Sequence, residues 1–200
     1  VAIVVIGFSS SVAAYTYTAN DNTHYDYGYF YGSVYAYADV TKNENNGELK
    51  LRGGWAYQSL HHCVMRMALE FTPSTSGRTH CSAEMSLSYK LFAGTAYGGF
   101  SYLYIRLVLL DSSKNPLESI QIWSAGAYCI VGGQWFTTAG NPGISNSVYW
   151  QYSLQSGTTY YAAVEMYSEV YWGGYAMSSA GTLAVPTILS CDVSEISVYT

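Results

Sequence analysis

Charge is what this sequence has least of. Only 10% of its 200 residues are Asp, Glu, Lys or Arg, well below the usual quarter or so. The eight basic residues all fall between Lys42 and Lys114, and the net charge is −5. No basic cluster exists that could neutralise a run of phosphates, which speaks against nucleic acid as a partner. A polybasic membrane-surface patch is missing for the same reason. There is no C-x-x-C, which weakens both zinc-ribbon and redox readings. G-x-S-x-G, the P-loop and H-E-x-x-H are absent as well. These absences predict a protein without catalytic residues, cofactor or metal. No N-x-[ST] sequon occurs, so any attached sugar would be O-linked. The apolar opening VAIVVIGF is too short for a bilayer span, which needs roughly 20 apolar residues.

What is present is tyrosine, 22 of 200, with 19 glycines and an apolar half. Such a chain is no disordered segment, because those are poor in aromatics and rich in charge. Its length suits a single core. Alternation with period 2 recurs almost throughout, and no long 3.6-residue periodicity interrupts it. In HCSAEMSLSYKL the alternation sends Cys81, Ala83, Met85, Leu87, Tyr89 and Leu91 inward, with His80, Glu84 and Lys90 outward. HHCVMRMALEF gives Cys63, Met65, Met67, Leu69 and Phe71 against His62, Arg66 and Glu70. SYLYIRLVLL buries Leu103, Ile105, Leu107 and Leu109; DSSKNP then turns the chain and LESIQIW returns as its hairpin partner. Nine to eleven strands follow from this count. They predict an all-β, antiparallel β-sandwich, of jelly-roll type as one option, as one domain over 15–200 preceded by an apolar segment and connector over 1–14.

The stretch HYDYGYFYGSVYAYADV places Tyr25, Tyr27, Tyr29, Tyr31, Tyr35 and Tyr37 on one face, with Phe30, Val34, Ala36 and Val40 on the other. The small and apolar face should pack inward, in one strand or in two broken near Gly32–Ser33. In YYAAVEMYSEVYW, Tyr161, Tyr167 and Tyr171 share a face with Glu165 and Glu169. Glutamate is rarely fully buried, so this face is expected to be wet or to lie at an interface. Glu165 and Glu169 are about 13 Å apart along a strand, too far for a glycosidase pair at roughly 5–9.5 Å.

The four cysteines, Cys63, Cys81, Cys129 and Cys191, are even in number in a lysine-poor chain, which predicts an oxidising compartment and two disulfides. If residues 61–71 and 80–91 form a hairpin, Cys63 and Cys81 lie about 25 Å apart, so each should reach Cys129 or Cys191. His61-His62-Cys63 and His80-Cys81 suggest zinc, but strand neighbours point to opposite faces. Only His61 and Cys63 share one, and the plainer reading is inward cysteines and surface histidines.

The opening residues Val1, Ile3, Val4, Val5, Ile6 and Phe8 are mostly β-branched and apolar on both faces, which predicts a strand covered on both sides. The absence of a leading methionine predicts processing upstream of Val1. Such a strand could be given to a neighbouring copy's open sheet edge by β-augmentation, and a head-to-tail contact of that kind builds a filament. This apolar leader before a strand-rich sandwich resembles the donor-strand-complemented surface-filament subunits of archaea and bacteria, such as archaeal threads and type-I-like pili. The resemblance implies a structural homopolymer outside the cell or on its surface, with other copies of itself as partners. The alternative from the residues is a secreted carbohydrate-binding β-sandwich that binds glycans through exposed tyrosines.

Overall fold

The computed structural model describes residues 14–18, 24–31, 37–43, 48–54, 60–93, 99–130, 136–171, 175–177 and 189–200. Among them are thirteen strands and no helix: β1 (Ala14–Thr18), β2 (His24–Tyr31), β3 (Tyr37–Asn43), β4 (Glu48–Gly54), β5 (Leu60–Phe71), β6 (His80–Ala93), β7 (Gly99–Leu110), β8 (Pro116–Cys129), β9 (Phe136–Gly140), β10 (Gly143–Tyr149), β11 (Tyr160–Tyr171), β12 (Tyr175–Met177) and β13 (Leu189–Tyr199). They form two antiparallel sheets. One has five strands in the order β2-β5-β11-β7-β8. The other has eight, built around the 14-residue β6. On one side β6 pairs first with β13 and then with β12; on the other it pairs with β10 and then with β9. The protein is an antiparallel β-sandwich.

Alternation explains the core. Along β6 every second residue, from Cys81 to Ala93, is buried. The inward faces of β5, β7 and β11 contribute Met67, Leu69 and Phe71, then Leu103 to Leu109, then Ala162, Val164 and Met166. Fully burying one such Leu, Ile or Met is worth about 1.5–3 kcal/mol. Trp150, just beyond β10, is completely buried among them. Tyr15 closes one end, its ring 5.8 Å from Phe71 and its hydroxyl donating to the Thr72 carbonyl. The β7–β8 hairpin forms as the sequence predicts. Asp111 caps its turn: its carboxylate accepts from the Asn115 backbone N–H at 2.8 Å and from the side-chain amide at 3.2 Å. Lys114 takes the left-handed conformation there, at φ 68°.

The thirteen strands exceed the nine to eleven expected, and three further expectations need correction. Residues 61–71 and 80–91 are not a hairpin: β5 and β6 lie in opposite sheets, joined through residues 72–79. The two disulfides are not formed, since Cys81, Cys129 and Cys191 are buried thiols. Cys81 pairs with Val198 and Cys191 with Leu87, six residues further along β6; that is about 20 Å, against the roughly 7 Å limit between Cα atoms. Burial raises the Cys81 thiol far above its usual range and pushes Cys191 up to about 12, with help from Asp192. Glu165, expected on a wet face, is 3% exposed. The donor residues Val1 to Phe8, Tyr35, and the side chains of Cys63 and of β2 and β3 lie outside the described residues. Of the row from Tyr25 to Tyr37, β2 holds the residues up to Tyr31 and β3 opens at Tyr37, and the two strands belong to different sheets; the expected break near Gly32–Ser33 lies outside the described residues.

Candidate functional site: the outer face of the five-stranded sheet

Cross-strand register stacks the outer-face residues of the five-stranded sheet in rows. In the first, Ala163 lies between Ala68 and Val108. All three are buried, and with Leu110 and the half-buried Tyr161 they form a small second apolar cluster. The next row is ionic. Glu165 stands directly between Arg66 and Arg106. Its Oε2 accepts from Arg66 Nε at 2.6 Å and its Oε1 from Arg106 Nη1 at 3.3 Å. Both carboxylate oxygens are engaged, which is how a carboxylate tolerates burial.

Beyond the ion row the face turns aromatic. Tyr167 lies between Val64 and Tyr104, and the following row sets Glu169 between His62 and Tyr102. The Tyr104 ring is 5.8 Å from Tyr167 and 6.1 Å from Tyr102, and Phe100 adds a fourth ring 5.2 Å from Tyr102. Arg106 links the two rows, its guanidinium 4.4 Å from the Tyr167 ring and 5.4 Å from Tyr104; such cation–π contacts draw the cation to the ring faces. Tyr167 donates to Glu169 at 2.7 Å. Burial and the negative charge of Glu169 raise the Tyr104 phenol, so it stays neutral and able to donate across the physiological range. On edge strand β8, Gly126 is the partner of Tyr102. A Cβ there would come within 2.3 Å of the Tyr102 ring, so the glycine lets the phenol lie over the backbone, an arrangement that shields an edge glycine.

Of the tyrosines singled out in the sequence, Tyr161 and Tyr167 lie on this face, half-buried. Tyr171 is set by register between Leu60 and Phe100, its side chain outside the described residues. Backbone register puts Tyr27, Tyr29 and Tyr31 of β2 opposite Arg66, Val64 and His62, and Tyr25 opposite Ala68. Sequence reading missed Tyr102 and Tyr104, although SYLYIRLVLL alternates them with the buried leucines. It also left Arg106 unassigned. Among the described residues no three His, Cys, Asp or Glu side chains are grouped to hold a metal. His80 is instead stacked between two tyrosines on the opposite sheet.

No protein-family profile and no curated protein matches the chain. Solved structures with a loose overall likeness include the CBM22-1 xylan-binding domain of Paenibacillus barcinonensis Xyn10C, at 12% identity over 92% of both chains with a TM-score of 0.25. A loop-swap mutant of Necallimastix patriciarum Xyn11A shares 12% identity over 94% of this chain and 100% of its own, with a TM-score of 0.37. The family 11 carbohydrate-binding module of Clostridium thermocellum, in complex with a β-1,3-1,4-mixed-linked tetrasaccharide, shares 9% over 94% and 96%, with a TM-score of 0.29. Superpositions this loose carry no argument about ligand or site.

Proposed function

We propose that this protein is a carbohydrate-binding β-sandwich whose tyrosine-rich outer face, on β5, β11 and β7, takes a polysaccharide chain. The observation that carries the reading is the contiguous row of half-buried Tyr167, Tyr104 and Tyr102 rings beside Arg106 and Glu169. Phenol rings offer apolar area for the C–H faces of a pyranose, and their hydroxyls remain able to exchange hydrogen bonds at a wet boundary. A binding surface of this kind combines such area with a few placed polar groups, here a guanidinium and a carboxylate already fixed by their neighbours. Prior fixing lowers the entropy cost of capture. Contiguous aromatic surface beyond what solubility requires marks a contact.

Electrophoresis in gels cast with soluble polysaccharides tests this. The protein should be retarded in at least one gel, and Tyr104→Ala with Tyr167→Ala should measurably reduce the retardation, while Tyr104→Phe keeps much of it. Equal mobility of the wild type and the double alanine variant in every gel would overturn the assignment.

A further inference from the structure

The opposite side of the sandwich carries a second constellation that shares no residue with the tyrosine face. On the outer face of the eight-stranded sheet, register sets Tyr149, His80 and Tyr199 side by side on β10, β6 and β13. The His80 ring is 4.7 Å from Tyr149 and 5.5 Å from Tyr199, tilted 28° and 25°. The three rings form a short stack running across the strands. Tyr149 is 69% exposed and Tyr199 37%. Tyr149 ends the stack on β10, which has β6 as its only strand partner among the described residues.

Along β6 from this stack come two polar rows. Ser82 lies between Ser147 and Ser197, and Glu84 between Ser145 and Glu195. A groove of about 470 Å³ then opens, lined by Glu84, Ser86, Ser145, Asp192 and Ser194 among others. It sits where β13 shifts register between Val193 and Glu195. Bulges of this type re-aim side chains and recur beside binding sites. The Ser194 hydroxyl donates to the Glu84 carbonyl at 3.0 Å, and Ser145 reaches the Glu84 carboxylate at 3.4 Å. Glu84 is four residues from His80, about 13 Å along the strand.

We propose that this face, from the Tyr149–His80–Tyr199 stack to the groove at Glu84, binds a neutral oligosaccharide laid along β6 and gives the protein a second saccharide site facing away from the first. Its ligand class is that of the reading above, but its residues are separate. One sugar ring packs its C–H face on the open side of Tyr149. Sugars further along donate hydrogen bonds from their hydroxyls to the Glu84 carboxylate and exchange hydrogen bonds with the serines. The charged residues lining the groove, Glu84 and Asp192, are both acidic, which favours neutral chains and disfavours uronates. Two sites on opposite faces cannot be filled by one short chain, so the protein would bridge two polysaccharide strands.

Calorimetric titration with gluco-, xylo- and mannohexaose, and with hexagalacturonate as the anionic control, tests this. The Tyr104→Ala, Tyr167→Ala background isolates the second site. In it, one neutral hexasaccharide or more should still bind at one per protein, with hexagalacturonate weaker by about tenfold or more. Adding Tyr149→Ala should then weaken binding by about tenfold or more, as truncation of an aromatic anchor does, while Tyr149→Phe keeps it. Absence of neutral binding in that background, or binding indifferent to both Tyr149→Ala and Glu84→Gln, would overturn the second site. If the background binds like the wild type and Tyr149→Ala alone removes all binding, the second site stands and the five-stranded face is the reading that falls.

Discussion

The two outer faces of this sandwich solve the same problem in opposite ways. On the five-stranded sheet, Glu165 is gripped by Arg66 and Arg106, and Ala68, Ala163 and Val108 lie buried beside it. On the eight-stranded sheet, the matching positions of β6, β10 and β13 are serines and acids around an open groove. Small apolar residues flanked by long side chains let the first face build a dry second layer. On the second face Glu84 and Ser145 are exposed and meet each other through a hydrogen bond rather than an arginine. A face organised by its own ion row presents its tyrosines in fixed positions, whereas the open face carries exposed polar groups beside a groove.

The contrast breaks first at the carboxylates. Glu165→Ala removes the carboxylate that the partly buried Arg66 and Arg106 share and should cost about 2–3 kcal/mol, read as a lower urea midpoint. Glu84→Ala, exposed on the opposite sheet, should stay within about 0.5 kcal/mol. Equal costs would mean that the ion row contributes nothing particular. Glycines offer a smaller version. Gly126→Ala drives a methyl into the Tyr102 ring, which should displace Tyr102 and cost about 1–3 kcal/mol. At Gly143, across the sandwich, an added Cβ meets nothing within 4 Å; alanine there should be neutral or stabilise by up to about 1 kcal/mol.

Between the two faces the interior should be inert. In native protein at pH 8, Cys81 and Cys191 should resist alkylation, because burial raises both thiols and only the thiolate reacts. In denaturant without reductant, Cys81, Cys129 and Cys191 should all react. Failure of any of them to do so would restore a disulfide. The smallest effect belongs to the β7–β8 turn. Hydrogen bonds from Asn115 lower the Asp111 carboxyl, so its folded value lies below its unfolded one. The contribution is therefore complete above about pH 4 and fades as the pH falls through the folded value. Asp111→Ala should slightly destabilise at pH 7 and have less effect at pH 2, by thermal midpoint; a penalty that grows on acidification would contradict the assignment.

How legible this was in the sequence varies by element. Strand β6 was readable residue by residue, because one wet and one dry face make period 2 unambiguous. Its partner was not: alternation says which residues face inward but not which strand lies alongside, so β5 and β6 were paired wrongly and the cysteine geometry with them. Glu165 was misread because glutamate usually implies water. The signal against it was present in the runs LVLL, MAL and AAV, whose apolar residues on both faces announce a second dry layer. That Arg66, Glu165 and Arg106 share one row follows only from register, which connects positions up to 99 residues apart.

The central claim, that the Tyr102–Tyr104–Tyr167 face holds a saccharide, is tested most directly by titrating isotope-labelled protein with the hexasaccharide that binds best and following the ring resonances of these tyrosines and the Arg106 Nε–H. The account predicts that these signals shift together and saturate with one dissociation constant, and that Tyr161, beside the apolar cluster, moves less. Saturable binding that leaves all four side chains unshifted would contradict it.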